Sequence, residues 1–404
     1  MKTLYVISKC CVATDYGIGT YLREYLYCLK DLDCIINLVQ LETNEAEFKI
    51  VEDNGVRTFL VPSYPDVKDN NICFISYVLR RYIDDTPNVI FHVNCLDFAP
   101  LIFNLRKVFH SVKILLTIHC FDWRWDLIDH NYSFKNMKGG RISHIFSSSE
   151  MQDAYIELQR IFSKVDSIIV LSKDSLDVLK RLFDIKSQKL VLIPNGIKDK
   201  ITINYLQNRF ILREKYGINK NEKILLFVGR LDKMKGIYVL IESFKRLRER
   251  NTNCKLVIVG DIGVFSPIHH AALACGFNIL FTGRLSSDLL SEWYQIADIG
   301  VIPSYIEQFG FVGIEMMMYG LPIVASNCLG LRCLYEDGKD AKIVPIGDAQ
   351  KTEEFVANLS YAISELLEDE AMKEKLSKSA RSAYLSKFEI SIMREKYRTL
   401  LYTI

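Results

Sequence analysis

Nowhere in its 404 residues does the chain hold the roughly 20 consecutive apolar residues that crossing a bilayer requires. The apolar run nearest the start, residues 4–8, ends at Lys9 and is too short for a signal-peptide core. A cytoplasmic protein is therefore expected, working in the cytosol or at the inner face of the membrane. Charge of one sign is missing as well. The 51 basic and 49 acidic side chains leave a formal charge of +2, too little to gather nucleic acid. The 11 cysteines show neither CxxC spacing nor His-Cys clustering, which disfavours a zinc site and fits reduced thiols. No low-complexity tract or short repeat interrupts the chain.

What is present is a rhythm. The length is too great for one compact core, so two domains of roughly 200 residues are expected. Short β-branched runs at residues 4–8, 89–93, 113–118, 167–171 and 190–193 read as strands buried on both faces. Amphipathic helical patterns such as 20–30 and 173–183 lie between them. Strand-helix alternation predicts an α/β fold with parallel, doubly wound sheets. After Pro194-Asn195-Gly196 and a polar helical connector at 204–216, six further runs from 223–228 to 341–344 predict a second such sheet. The expected organisation is an N-terminal Rossmann-like domain over 1–198, a second over 199–385, and a closing helix at 386–404 that packs back on the first.

Two segments concentrate the chemistry. In Glu307-Gln-Phe-Gly-Phe-Val-Gly-Ile-Glu315, two carboxylates stand with seven residues between them, directly after a strand and across a helix start. Gly310 lets the backbone approach a ligand, and the amides opening the helix suit hydroxyl or phosphate oxygens. A solvated glutamate followed by a helix-dipole glutamate is the plainer alternative. In Gly229-Arg-Leu-Asp-Lys-Met-Lys235-Gly236, the cations Arg230 and Lys235 follow the first strand of the second domain, where guanidinium and ammonium groups can neutralise a diphosphate through charge-assisted hydrogen bonds. A solvated basic turn is the alternative there.

Together these segments resemble the retaining glycosyltransferases of the GT-B fold, known as glycosyltransferase group 1 or family 4. The resemblance is strong over 190–350 and looser before. It implies two Rossmann-like doubly wound domains facing a cleft, and transfer of a hexosyl group from a nucleotide-diphosphate sugar to a hydroxyl acceptor with retention. It implies that Arg230 and Lys235 bind the diphosphate, and that Glu315 accepts hydrogen bonds from the ribose hydroxyls. Glu307 and the amides of Phe309, Gly310 and Phe311 would hold the sugar. Asp261, after a strand ending Val-Ile-Val-Gly260, and Arg284, where the base packs, are weaker matches. Ile262-Gly263 stands where a Gly-Pro pair is commoner. In the first domain, Gly17 and Gly19 of Asp15-Tyr-Gly-Ile-Gly-Thr20 match a loop beneath the phosphates, and His119 at a strand end matches a histidine that reaches the transferred sugar. The plain alternative for His119 is a satisfied strand-end histidine.

The implied mechanism is a front-face reaction in which the departing phosphate takes the acceptor proton, and because Arg230 and Lys235 would neutralise the diphosphate, no metal or other cofactor is expected. No Ser-His-Asp arrangement or glycosidase carboxylate pair competes with this reading. Asp31-Leu-Asp33 spells a metal-binding Asp-x-Asp but reads as a solvated turn. The expected donor is a UDP-sugar before GDP-mannose. The acceptor is left open among a glycan, a lipid carrier, a small molecule and a polypeptide. Trp123 and Trp125, set among charges, suit a sugar-stacking platform or a core equally. Basic and aromatic residues at 75–83 and 103–113 read as surface helices, with peripheral membrane contact as the alternative. The competing functions are a non-catalytic sugar-nucleotide-binding or partner protein of the same fold, and a GT-B epimerase.

Overall fold

The computed structural model describes residues 1–9, 17–63, 68–119, 149–201, 205–250, 253–261, 268, 272, 276–307, 309–347 and 352–404. Asp15, Tyr16, Trp123, Trp125, Ile262 and Gly263 lie outside the described residues. The chain divides into two compact units, Met1–Gly196 with Ile390–Ile404, and Ile197–Glu389. Among the described residues, no helix is long and apolar enough to cross a membrane.

The first unit holds an eight-stranded sheet. Its strands are β1 (Lys2–Lys9), β2 (Cys34–Thr43), β3 (Lys49–Asp53), β4 (Val56–Pro62), β5 (Val89–Val93), β6 (Lys113–Ile118), β7 (Ser167–Val170) and β8 (Leu190–Leu192). They run in the order β3-β4-β2-β1-β5-β6-β7-β8, all pairs parallel except β3 with β4. The central strands β5 and β7 are buried throughout, as apolar runs covered on both faces should be. The strands β2 to β4 do not appear in the apolar reading for a physical reason. Burial along β2 largely alternates, and β3 is exposed along its whole length. Its Lys49, Glu52 and Asp53 suit an edge, where charge discourages further pairing.

Helices follow the strands: α1 (Gly17–Leu29), α2 (Lys68–Arg80), α3 (Ala99–Val108), α4 (Ser149–Lys164) and α5 (Lys173–Phe183). In α5 the Ser172 hydroxyl caps the start by accepting from the Ser175 amide at 3.2 Å, and Asp184 ends it in the left-handed region. Val178, Leu179, Leu182 and Phe183 form its buried face. Each such side chain taken from water contributes about 2 kcal/mol.

The second unit holds a six-stranded, wholly parallel sheet: β9 (Lys223–Val228), β10 (Cys254–Val259), β11 (Ile279–Gly283), β12 (Ile299–Ile302), β13 (Ile323–Ser326) and β14 (Lys342–Val344), in the order β11-β10-β9-β12-β13-β14. Around it lie α6 (Tyr205–Lys215), α7 (Ile237–Glu249), α8 (Ser287–Ile296), α9 (Phe311–Met318), α10 (Leu331–Leu334), α11 (Thr352–Glu368) and α12 (Glu370–Lys387). The chain winds outward from β9 through β10 to β11, then crosses to β12 on the other side. The border between the paired strands β9 and β12 is the switch point, and in doubly wound sheets ligands bind outside the carboxyl ends of the strands at such a point.

The last helix, α13 (Ile390–Thr403), belongs to the first unit and packs on α1. The Tyr397 ring lies 4.6 Å from that of Tyr25, its hydroxyl is 2.9 Å from the Tyr21 hydroxyl, and Arg394 pairs with Asp31 at 2.9 Å. Asp31 is thus an exposed ion-pair partner in the turn after α1.

Candidate active site

The carboxyl ends of the second sheet run level. Gly229 N donates to Val259 O at 3.0 Å and Gly260 N to Gly283 O at 3.1 Å. The next residue along each strand is one of the expected site residues: Arg230 after β9, Asp261 after β10 and Arg284 after β11. All three side chains are exposed. Arg230 reaches Asp232 at 3.1 Å.

A single 3-10 turn, Lys233–Lys235, carries Lys235 to the switch point. The Asp232 carboxylate caps it by accepting from the Lys235 amide at 3.0 Å. The turn docks on the chain leaving β12, for Tyr305 N donates to Met234 O at 2.8 Å. Gly236 ends it with φ +71, and a Cβ there would stand 1.9 Å from the Pro303 carbonyl oxygen. This close approach brings Lys235 Nζ onto Glu307 Oε1, an ion pair between two half-buried groups. The Ser304 hydroxyl donates to the same oxygen at 3.3 Å.

Gly236→Ala should therefore destabilise the second unit by about 3 to 5 kcal/mol, through backbone strain and a clash that cannot relax by side-chain movement. Thermal unfolding checks this: a midpoint drop on the order of 10 °C is expected, and an unchanged midpoint contradicts the docking described.

Gly310, with φ +82, turns the chain into α9. A helix start is the usual place for an anion or a hydroxyl oxygen; here Gly313 N already donates to Gly310 O at 2.9 Å, which leaves the amides before it for a ligand. Phe309 is buried edge-on against Phe388, ring centres 5.9 Å apart, so its side chain serves the core and its backbone is what remains for a ligand. Phe311 and Glu315 are half-buried on α9. Glu315 Oε2 accepts from the Tyr294 hydroxyl at 2.7 Å.

In the first unit, Gly17 and Gly19 lie in the opening turn of α1, and His119 directly follows β6. The Tyr21 ring stands edge-on to the His119 ring at 4.3 Å. His119 is half-buried as a residue, but its Nε2 is enclosed and has no hydrogen-bond partner among the described residues. Burial holds its pKa down to about 4. Beneath it lies a polar cluster that sequence reading missed. Buried His92 meets the Tyr25 hydroxyl through Nδ1 at 2.6 Å and the Thr117 hydroxyl through Nε2 at 2.7 Å. Its pKa is pushed down to about 3, chiefly by burial and then by His119.

The fold thus brings Arg230, Lys235, Glu307, Phe309 and Gly310 to the loops around one switch point, Phe311 and Glu315 to the helix that follows, and Asp261 and Arg284 to neighbouring strand ends. In the first unit, Gly17 and Gly19 open α1 and His119 follows the carboxyl end of β6. Sequence reading also missed Asp232 as a cap, Ser304, Tyr21 and Tyr294. Asp232 alone had a local signal, an aspartate three residues before Lys235.

Residues 16–200 match the family described as Glycosyltransferase Family 4, and residues 208–383 match Glycosyl transferases group 1. An uncharacterized glycosyltransferase of Methanocaldococcus jannaschii is 30% identical over 228 residues, 53% of this chain and 58% of that protein. The alpha-D-kanosaminyltransferase of Streptomyces kanamyceticus is 27% identical over 234 residues, 56% of this chain and 58% of its own length. The chain thus spans less than two thirds of the length of these curated relatives. Among solved structures, sucrose-phosphate synthase from Thermosynechococcus elongatus superposes with a TM-score of 0.76 at 21% identity over 100% of both chains. Anabaena HepE in complex with UDP and glucose gives 0.70 at 16% identity, again over 100% of both chains. With matched domains on either side of a short connector and two Rossmann-like parallel sheets, the chain belongs to the glycosyltransferase group 1 / family 4 proteins of the GT-B fold.

Proposed function

We propose that the protein transfers a hexosyl group from a nucleoside-diphosphate sugar to a hydroxyl acceptor with retention of configuration. The observation that carries this reading is the Lys235–Glu307 ion pair at the switch point of the second sheet, with Arg230 on the adjacent strand end. A diphosphate arriving there exchanges one partner of Lys235 for another. It draws the ammonium from the glutamate, and Arg230 adds a second cation, so the leaving group's charge is met by charge-assisted hydrogen bonds. Glu307, released, turns to the sugar. Glu315 holds the ribose hydroxyls, and the amides at Gly310 and Phe311 face donor oxygens.

In the reaction, the bond from the anomeric carbon to the phosphate oxygen breaks and a bond to the acceptor oxygen forms on the same face. The acceptor proton passes to the departing phosphate oxygen. Protein groups position the reactants and stabilise charge, and none is required as a covalent nucleophile. His119, kept neutral by burial, acts as a hydrogen-bonding group toward the sugar. A UDP-sugar is the proposed donor, supported by the UDP and UDP-glucose held by structurally similar HepE. The first unit selects the acceptor from among glycans, lipid carriers, small molecules and polypeptides.

Calorimetry tests the site. UDP should bind at least about ten-fold more tightly than UMP, because the second phosphate gains hydrogen bonds to charged groups, and transfer should persist in excess EDTA. Equal affinity for UDP and UMP, or activity lost to chelator and restored by manganese, contradicts the assignment of the charge to Arg230 and Lys235.

A further inference from the structure

The hydrogen bond from Tyr294 to Glu315 joins a buried side chain of α8 to the middle of α9, and it binds a group that the donor reading uses. Three observations fix the tyrosine. Its helix is capped by Ser286, whose hydroxyl accepts from the Leu289 amide at 3.4 Å. Its ring is 2% exposed and stacks on Tyr319 at 5.3 Å with 18° between planes. The Tyr319 hydroxyl in turn bonds Ser291, one turn back on α8. The Tyr294 hydroxyl therefore occupies one place. Its pKa lies well above the ordinary value, first because of burial and then because of the Glu315 charge, so it keeps its proton and donates.

Glu315, by contrast, is half-buried on a long side chain with several rotatable bonds. A carboxylate that grips a vicinal diol must present its oxygens in one plane and at one angle. A rigid donor on Oε2 selects that rotamer before the ligand arrives, which lowers the ordering cost of binding.

We infer that Tyr294 is a positioning residue that holds the Glu315 carboxylate ready for the two ribose hydroxyls of the donor. The inference rests on the reading of Glu315 as the ribose-holding group, so the test separates the two. UDP and GDP are each titrated beside their 2′,3′-dideoxy analogues, and the ribose preference is the ratio of the two affinities.

Glu315→Gln should abolish most of that preference. If it leaves the ratio at the wild-type value, the ribose reading itself is wrong. Tyr294→Phe, which keeps the ring stack and removes only the hydroxyl, should weaken binding of the ribonucleotide about three- to ten-fold, as expected when one hydrogen bond is removed. Dideoxy affinity should stay within about two-fold, and the urea midpoint should stay close to that of the unchanged chain. Equal weakening of both nucleotides, or an unchanged ratio beside a collapsed one in Glu315→Gln, overturns the positioning role. Should the phenylalanine chain fail to fold, the same ratio is read in Glu315→Asp, whose shorter carboxylate draws away from the Tyr294 hydroxyl and should lose ribose preference while keeping dideoxy affinity. Tyr319→Phe, which leaves the Tyr294 hydroxyl in place, should keep the wild-type ratio.

Discussion

Lowering the pH from 7 to 4.5 should remove about 5 kcal/mol from the stability of the first unit through two histidines alone. His92 and His119 have folded pKa values of about 3 and about 4, both below the 6.5 of the unfolded chain. The fold therefore prefers their neutral forms. Their contribution is fully present above pH 6.5 and is lost as pH falls toward the folded values, because the unfolded chain takes up protons that the folded chain does not. At about two pH units below the unfolded value, each histidine costs roughly 2.6 kcal/mol, since every tenfold rise in proton activity adds about 1.36 kcal/mol.

The neighbours of His92 explain why the neutral form is held. Tyr25, Thr117 and Tyr397 approach it with hydroxyls or rings and bring no carboxylate to offset a positive charge. Urea unfolding across this range checks the expectation. His92→Gln should flatten the slope by about one proton, and a slope identical to that of the unchanged chain would place the acid sensitivity elsewhere.

That cluster also shows where sequence reading stops. The apolar runs of β5, β6, β7 and β9 are legible because continuous burial demands continuous apolar residues. The helix 173–183 is legible because its buried positions repeat at helical spacing. The strands β2 to β4 are not, since edge and near-edge strands carry polar residues where one face meets water. Around the candidate site, the two glutamates and the cations stand out because each sits in a short segment whose spacing has a chemical meaning. Tyr294 lies 21 positions before the carboxylate it binds, and Lys235 lies 72 before Glu307. Tertiary folding alone joins these pairs, and no local pattern announces them.

Glu307→Gln should lower turnover by about 10²- to 10³-fold, the size expected when one preorganised group facing developing charge is removed. Donor affinity should change little. The ion pair gives a reason beyond transition-state complementarity. In the free protein Lys235 is engaged by Glu307, and the neutral amide releases that ammonium to the diphosphate, which offsets the weaker hydrogen bond to the sugar. Glu315→Gln should behave oppositely. Its contact with the ribose is shared by bound donor and transition state, so affinity falls roughly ten- to hundred-fold while turnover at saturating donor is nearly kept. Calorimetry paired with rates at saturating donor distinguishes the two variants. If both keep wild-type affinity and turnover, the segment is only a helix start.

Whether this chain activates a nucleotide sugar through Arg230, Lys235 and Glu307 is decided by a proton NMR time course. Pure protein is mixed with UDP-glucose and then with other UDP- and GDP-sugars, without metal, and the anomeric signal is followed. Slow loss of the α-linked donor is expected, with release of the nucleoside diphosphate and a product that first appears in the α configuration. The rate should fall at least about a hundred-fold in the Arg230→Ala, Lys235→Ala double variant. Consumption of no donor by the unchanged chain, a product that first appears as β, or an undiminished rate in the double variant would contradict it.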